Sequence, residues 1–484
     1  MVKKSVEQTY KKMSQIEHIK ELPDSYIGSV EKAPFNMWVF DDKKKSFIRK
    51  DINIVPGLYK IFDEICVNSL DHHVRTKNLL ASDRVTIIKV NIDQKENCIS
   101  IYNNGAGIDI VKHKEHKIYI PEMIFGNLLT SANYDKNEKK ITGGKNGYGA
   151  KLTNIFSTKF IIETIDKKRK LKYVQVFENN MSNKTEPKIT KIISTTKPYT
   201  KITFYPDLKK FGMKKLDNDI VSLMNKRVYD MTACTEKTVS VYLNDKKIEF
   251  KQFDKYVDLY IGNKKETTRI YENVNEYWEI VACPSLDDKF DHVSFVNGIY
   301  TFQGGKHVEY VAKHLTRKLQ TYASTKGYKR KKMKLKQSVI QDNLWLFIKS
   351  TIVNPSFSSQ TKEYLTTNST KFGSKFEISD KFIEKLAKSG VLERAMKLAE
   401  FKNDGLLSKI DGKKKSTLRG IPKLDDANWA GTKKSNDCTI ILTEGDSAKA
   451  FAVAGLSVIG RDKYGVFPLK GKLLNTRQAS PDKI

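Results

Sequence analysis

The chain has 484 residues, enough for about three domains, and 39% apolar with 10% aromatic residues exclude a wholly disordered polypeptide. Lys and Arg number 87 against 56 Asp and Glu, a formal charge of +31 that points to a polyanionic partner. No apolar run reaches the roughly 18 residues of a membrane helix, no apolar core follows Met1–Ser5, and the five cysteines are odd in number and lack a Cys-x-x-Cys spacing. The expectation is a chain with reduced thiols that is neither secreted nor membrane-spanning.

Taken in chain order, residues 57–73 read as a helix, with Leu58, Ile61, Phe62 and Ile65 forming one apolar stripe. Glu64, Asn68 and Asp71 follow at i, i+4 and i+7, within about 60° of one another on an arc bordering that stripe. Two strands are predicted next, Val85–Ile92 and Cys98–Tyr102. The second runs into Asn103-Asn104-Gly105-Ala106-Gly107, a turn that lets backbone pass close to a flat ligand. Residues 129–151 form a loop with Gly143-Gly144-Lys145-Asn146-Gly147-Tyr148-Gly149-Ala150-Lys151, followed by the apolar Leu152, Ile155 and Phe156. A glycine-rich loop entering a helix offers free N–H groups to phosphate. Its spacing fits neither the P-loop nor the dinucleotide fingerprint, so a nucleotide site here belongs to another fold.

Strands are predicted at Asp291–Asn297 and Tyr300–Phe302, and Gly304-Gly305-Lys306-His307 then opens a helix ending near Thr325. Tyr310 to Gln341 holds ten basic residues and no acidic one. That stretch is either a solvated lysine-rich face or a salt-sensitive contact to a nucleic-acid backbone. Phe382, Ile383 and Leu386 mark a further helix. Beyond a lysine-rich linker, Cys438–Leu442 is predicted to be a buried strand feeding Thr443-Glu444-Gly445-Asp446-Ser447 and a helix.

Glu-x-x-x-Asn, Asn-Asn-Gly-x-Gly and the glycine loop, in this order, resemble the nucleotide-binding motifs shared by gyrase, mismatch-repair clamps, heat-shock chaperones and histidine kinases. Tyr59–Ile65, Leu128–Ser131 and Gly147–Ser157 are closest in wording to the type IIA DNA topoisomerases of eukaryotes and large viruses, and that resemblance runs from about Tyr10 to Ser480. It implies an α+β chain. A GHKL (Bergerat) ATPase sandwich with an N-terminal strap would occupy residues 1–241. A transducer of the ribosomal protein S5-like kind would occupy 242–400, and a linker with an incomplete TOPRIM segment 401–484.

The resemblance also implies roles. Glu64 would be the general base for ATP hydrolysis, with Asn68 binding Mg2+. Asn103 would contact the adenine, and Ser131, Ala132 and Asn133 the sugar or phosphates, with Ala132 standing where a second serine is usual. Gly144, Lys145, Asn146, Gly147, Tyr148, Gly149, Ala150 and Lys151 would wrap the triphosphate. Gln360, Thr361 and Lys362 would reach back to the γ-phosphate, with Lys362 neutralising its charge, and Tyr10 would reach the nucleotide of a second protomer. Lys326, Lys329, Arg330, Lys331, Lys332, Lys334 and Lys336 would face double-stranded DNA. Glu444 would hold a metal, and Lys470 stands where arginine is usual.

An ATP-dependent homodimeric gate follows, placed in the nucleus, or in the cytoplasm or virion for a viral source. No tyrosine here is assigned as a DNA-cleaving nucleophile. The alternatives are a related clamp or chaperone-like ATPase that never cleaves DNA, and the ATPase subunit of a split topoisomerase.

Overall fold

In the computed structural model the described residues are 12–130, 139–144, 147–265, 267–287, 289–325, 335–403 and 423–469. The chain divides into two compact units. One comprises Met1–Val281, His292–Val311 and Leu346–Ser379, the other Ala282–Asp291, Ala312–Trp345 and Asp380–Ile484.

In the first unit, the helices Gln15–Glu21 and Asp24–Ile27 precede a hairpin of β1 (Ala33–Asp41) and β2 (Ser46–Ile54). Its turn is closed by the Asp41 carboxylate, which accepts the N–H groups of Lys43 and Lys44 at 2.9 and 3.0 Å. A nine-stranded sheet follows, formed by β3 (Ile87–Asp93), β4 (Cys98–Asn104), β5 (Ser157–Asp166), β6 (Leu171–Glu178), β7 (Asn183–Lys184), β8 (Lys188–Lys191), β9 (Tyr199–Pro206), β10 (Ser240–Leu243) and β11 (Lys246–Lys247). Its order is β11-β10-β3-β4-β9-β5-β6-β7, with β8 also paired to β6. The boundary expected at 241/242 therefore falls inside β10, a strand of this sheet.

Alternation decides which face is covered. Ile88, Val90 and Ile92 of β3 and Ile99, Ile101 and Asn103 of β4 are buried while their neighbours are not. The helices Pro56–Thr76, Gly149–Ile155 and Asn218–Cys234 supply much of the resulting core, with Ile19, Ile27 and Phe125 added from shorter helices. The helix expected over 57–73 spans Pro56–Thr76. It starts on a proline, which has no N–H to satisfy, and buries Leu58, Ile61, Phe62 and Ile65 as the stripe requires.

A second sheet is ordered β12-β13-β17-β14-β15. Its strands are β12 (Ile270–Asn275), β13 (Trp278–Pro284), β14 (Asp291–Val296), β15 (Ile299–Tyr300) and β17 (Leu344–Ser350). Asn297 and Gly298 both take positive φ, 51° and 78°, in the two-residue turn between β14 and β15. Such a turn twists with its strands and selects this Asn-Gly pair. After it, β16 (Gly304–Gly305) pairs in parallel with β18 (Tyr364–Leu365), which anchors the loop carrying Gln360 and Lys362.

In the second unit, β19 (Thr439–Thr443) runs parallel to β20 (Tyr464–Pro468) with the helix Asp446–Ile459 between them. The strand and helix predicted there are present, but the strand is not buried. Ile440 and Leu442 are about half exposed, because among the described residues β19 has one strand partner and the faces of these two side chains are left uncovered.

Buried charge ties the first unit together. Arg227, fully buried on the helix Asn218–Cys234, donates from Nε to Asp63 at 2.6 Å and from an Nη to the Gly298 carbonyl at 2.9 Å. Burial opposes ionisation of Asp63, but Arg227 outweighs it and holds the carboxyl below its usual value. Arg227→Met would leave that carboxylate buried without its main partner. A loss of about 3–5 kcal/mol in denaturant unfolding is expected, with part regained on adding Asp63→Asn.

Candidate functional site

Glu64 lies midway along the helix Pro56–Thr76 and is 2% exposed. Two ammonium groups meet its Oε1: Lys60, one turn earlier, at 2.7 Å and Lys362 at 3.1 Å. Lys362 reaches it across 298 positions of sequence. The lysine sits in the left-handed region at φ 64°, unusual for a side chain with a Cβ, and its N–H is fixed to the Ser359 carbonyl at 3.1 Å. Burial works against ionisation of Glu64, yet Lys362 and then Lys60 outweigh it, and the pKa falls to about 2. The other oxygen, Oε2, faces the start of the helix Gly149–Ile155. A Cβ on Gly149 would stand 2.2 Å from it, so only glycine lets the loop lie against the carboxylate.

A cavity of about 330 Å³ opens beside this pair. Its polar side is lined by Glu64, Asn68, Gly144, Gly147–Lys151, Gln360 and Lys362. Asp71 holds the glycine loop in place, its two oxygens accepting the N–H groups of Gly143 and Gly144 at 2.7 and 2.8 Å. From the second sheet, Asn354 exchanges bonds with the backbone of Lys140, and Asn297 donates to the Thr142 carbonyl at 3.3 Å. Lys151 is buried and gives its ammonium to the Thr130 carbonyl at 2.6 Å. Burial lowers its pKa to about 8.

The opposite end is apolar. Ile101, Ile108, Ile124, Phe125 and Ile202 form a slot, with Asn103 and Thr200 as its polar members. His72 also lines the cavity. Its Nε2 lies 2.7 Å from the Ala106 carbonyl, which can only accept, so the proton sits on that nitrogen. Burial pushes its pKa down to about 4, so the ring is neutral near pH 7. Apolar side chains, backbone N–H groups, ammoniums and an ionised carboxylate are thus gathered in the lining of one cavity.

Among the residues expected from sequence, the structure brings together Glu64, Asn68, Asn103, Gly144, Gly147, Tyr148, Gly149, Ala150, Lys151, Gln360 and Lys362. Thr361 turns away instead. Its hydroxyl pairs with Ser359 and its methyl packs toward Gly28, since consecutive residues of this turn project to different sides. Lys336 is exposed and begins the helix Gln337–Asp342. Glu444 is exposed at the end of β19. Tyr10, Ser131, Ala132, Asn133, Lys145, Asn146, Lys326, Lys329, Arg330, Lys331, Lys332 and Lys334, and Lys470 lie outside the described residues.

Lys60, His72, Asp71 as the loop's anchor, and the apolar slot were not among the expected site residues. The period-two pattern of β4, which puts Ile101 and Asn103 on one face, was the signal for part of the slot. His113, Glu115 and His116 also lie close enough to share an ion. However, Nδ1 of His113 accepts the N–H groups of Glu115 and His116 at 3.3 Å, which puts the ring proton on Nε2 and leaves no free lone pair.

Residues 53–210 match the family model described as "Histidine kinase-, DNA gyrase B-, and HSP90-like ATPase", and residues 237–408 match that of DNA gyrase B. DNA topoisomerase 2 of Meyerozyma guilliermondii is 49% identical over 98% of this chain and 35% of its own length. The chain thus spans about a third of that relative. The ATPase region of Saccharomyces cerevisiae topoisomerase II superposes with a TM-score of 0.75 at 46% identity, covering 82% of this chain and all of that one. The ATPase and transducer domains of DNA topoisomerase II from Balamuthia mandrillaris give 0.77 at 42%, covering 83% of this chain and all of that one. The chain therefore belongs to the type II DNA topoisomerases, as their N-terminal ATPase and transducer region.

Proposed function

We propose that this chain is the ATP-operated gate of a type II topoisomerase, and that Glu64 and Lys362 are the pair through which it hydrolyses ATP. The observation that carries the reading is their contact in the buried wall of the cavity. A carboxylate able to take a proton and an ammonium able to meet a phosphate come from segments 298 positions apart. The donor set suits the substrate. The slot of Ile101, Ile108 and Ile202 accepts a purine face, the Asn103 carboxamide offers polar atoms to its edge, and the glycine loop and Lys151 suit the phosphates.

Asn68 offers a hard oxygen at the phosphate side and would hold Mg2+ together with the phosphates, as that ion is usually held. The ion supplies neutralisation of phosphate charge. In hydrolysis Glu64 takes the proton of a water, whose oxygen bonds to the γ-phosphorus while the bond to the ADP oxygen breaks. Lys362 cannot hold Glu64 and a γ-phosphate at full strength together. As it turns to the phosphate, the Glu64 carboxylate loses its largest cationic influence and becomes a better base.

The remaining roles are proposals that rest on the family. ATP would dimerise two protomers, with Tyr10 reaching the partner's nucleotide. Ser131, Ala132, Asn133, Lys145 and Asn146 would complete the sugar and phosphate contacts. Lys326 to Lys336 would face duplex DNA, and Glu444 would hold a metal in the third domain. The compartment is wherever that DNA is, the nucleus or, for a viral source, the cytoplasm or virion. Among the described residues no helix is long and apolar enough to cross a membrane.

Glu64→Gln is expected to keep nucleotide binding by calorimetry while phosphate release falls about 10²–10⁴-fold. Wild-type turnover in that variant would remove the base. Lys151 tests the phosphate side. Its folded pKa, about 8, lies below the ordinary lysine value, so its burial penalty is full below pH 8 and disappears as pH rises from there toward 10.5. Lys151→Met should therefore stabilise the empty protein at pH 7, by roughly 1–3 kcal/mol, while weakening ATP binding. Near pH 8.5 wild-type binding should take up a proton, seen as a buffer-dependent heat, and an absent uptake would place the phosphates elsewhere. DNA should stimulate hydrolysis, with the stimulation lost steeply between about 50 and 200 mM salt.

A further inference from the structure

We propose that Lys60 is the positioning residue of the hydrolytic carboxylate, holding Glu64 by its Oε1 so that Oε2 stays aimed into the cavity while Lys362 is engaged on the nucleotide. The inference rests on the reading of Glu64 as the base and adds a residue to it.

The geometry separates the two oxygens. Both ammoniums approach Oε1, whereas Oε2 faces Gly149, a lining residue of the cavity. One oxygen thus carries both ion pairs, and the other lies on the side of the cavity-lining Gly149. The two lysines differ in what they can reach. Lys362 lies on a loop and lines the cavity. Lys60 is 3% exposed on the same helix as Glu64, lies 3.6 Å from Asp63 on its other side, and is not a lining residue. It therefore acts only through Glu64.

A buried ammonium with two carboxylates beside it has no cheaper place to go. Burial disfavours its charge, but Glu64 and Asp63 outweigh that and keep it protonated above the usual lysine value. When Lys362 leaves, Lys60 is the cation that remains beside the carboxylate, 2.7 Å from Oε1 as an ion pair without a hydrogen bond, keeping it ionised and drawing that oxygen to its own side. Among the described residues, the charged groups that touch Glu64 or share its cavity are Lys60, Asp63, Asp71 and Arg75 from its own helix, Lys362 from the loop and Lys151 from the helix that begins at Gly149, with Arg227 behind Asp63.

The test is steady-state ATP hydrolysis by the full chain near pH 7, with Lys60→Met, Lys60→Arg and Glu64→Gln compared and each variant melted. Lys60→Met should lower kcat about 10–100-fold with KM within about threefold. Lys60→Arg, which keeps the charge, should retain most of kcat. If Lys60→Met keeps wild-type kcat while Glu64→Gln is inactive, the proposal fails and the base stands. If Glu64→Gln turns over normally, the reading of the base fails instead. If Lys60→Met does not melt cooperatively, Lys60→Gln replaces it. A kcat lowered in the Gln variant at unchanged KM and retained in the Arg variant supports the positioning role, and equal kcat in both overturns it.

Discussion

A carboxylate sunk into a protein interior needs a cation or hydrogen-bond donors beside it, and much of the first unit serves to bring cations to Glu64. One cation is local, a turn earlier on the same helix. The other comes from 298 positions away, which makes distant architecture a requirement of local chemistry. The parallel pairing of β16 with β18 and the left-handed backbone at Lys362 are the devices that bring it there. Remove that delivery and the cavity loses both an ammonium and the setting of its acid.

The glycine loop obeys a second condition, that backbone polar groups away from water find partners. Its N–H groups at Gly143 and Gly144 are met by Asp71 from the long helix, and the carbonyls of Lys140 and Thr142 are met from Asn354 and Asn297. The loop is thereby suspended between the helix that bears Glu64 and the sheet that precedes Lys362. A ligand that engaged the N–H of Gly144, which lines the cavity, would compete with Asp71 for it.

Much of this was legible in the sequence because motif spacing encodes it. Glu64 to Asn68 on one helical arc, Asn-Asn-Gly-x-Gly after β4 and the clustered glycines carried the resemblance from which the site was expected. What could not be read had physical causes. Lys60 is one lysine in a chain with a large basic excess, and nothing local marks it as buried. The bonds of Asp71, Asn297 and Asn354 to the loop join positions 72 to 214 residues apart, and their partners exist only once the chain has folded. Cys438–Leu442 reads as a buried strand because its residues are apolar, but burial depends on what covers a face, and Ile440 and Leu442 remain open among the described residues. Thr361 sits between two lining residues in sequence, yet a turn sends alternate side chains apart.

Lys151 carries a consequence for how long the protein persists. An ammonium buried against a single carbonyl is a poor arrangement for an empty cavity and a good one for a polyphosphate. The folded state is thus weakest when the cavity is unfilled, and any occupant adds stability as the logarithm of its concentration over its dissociation constant. An occupant of the cavity would therefore also slow the opening of this unit to proteases, with no change in the sequence itself.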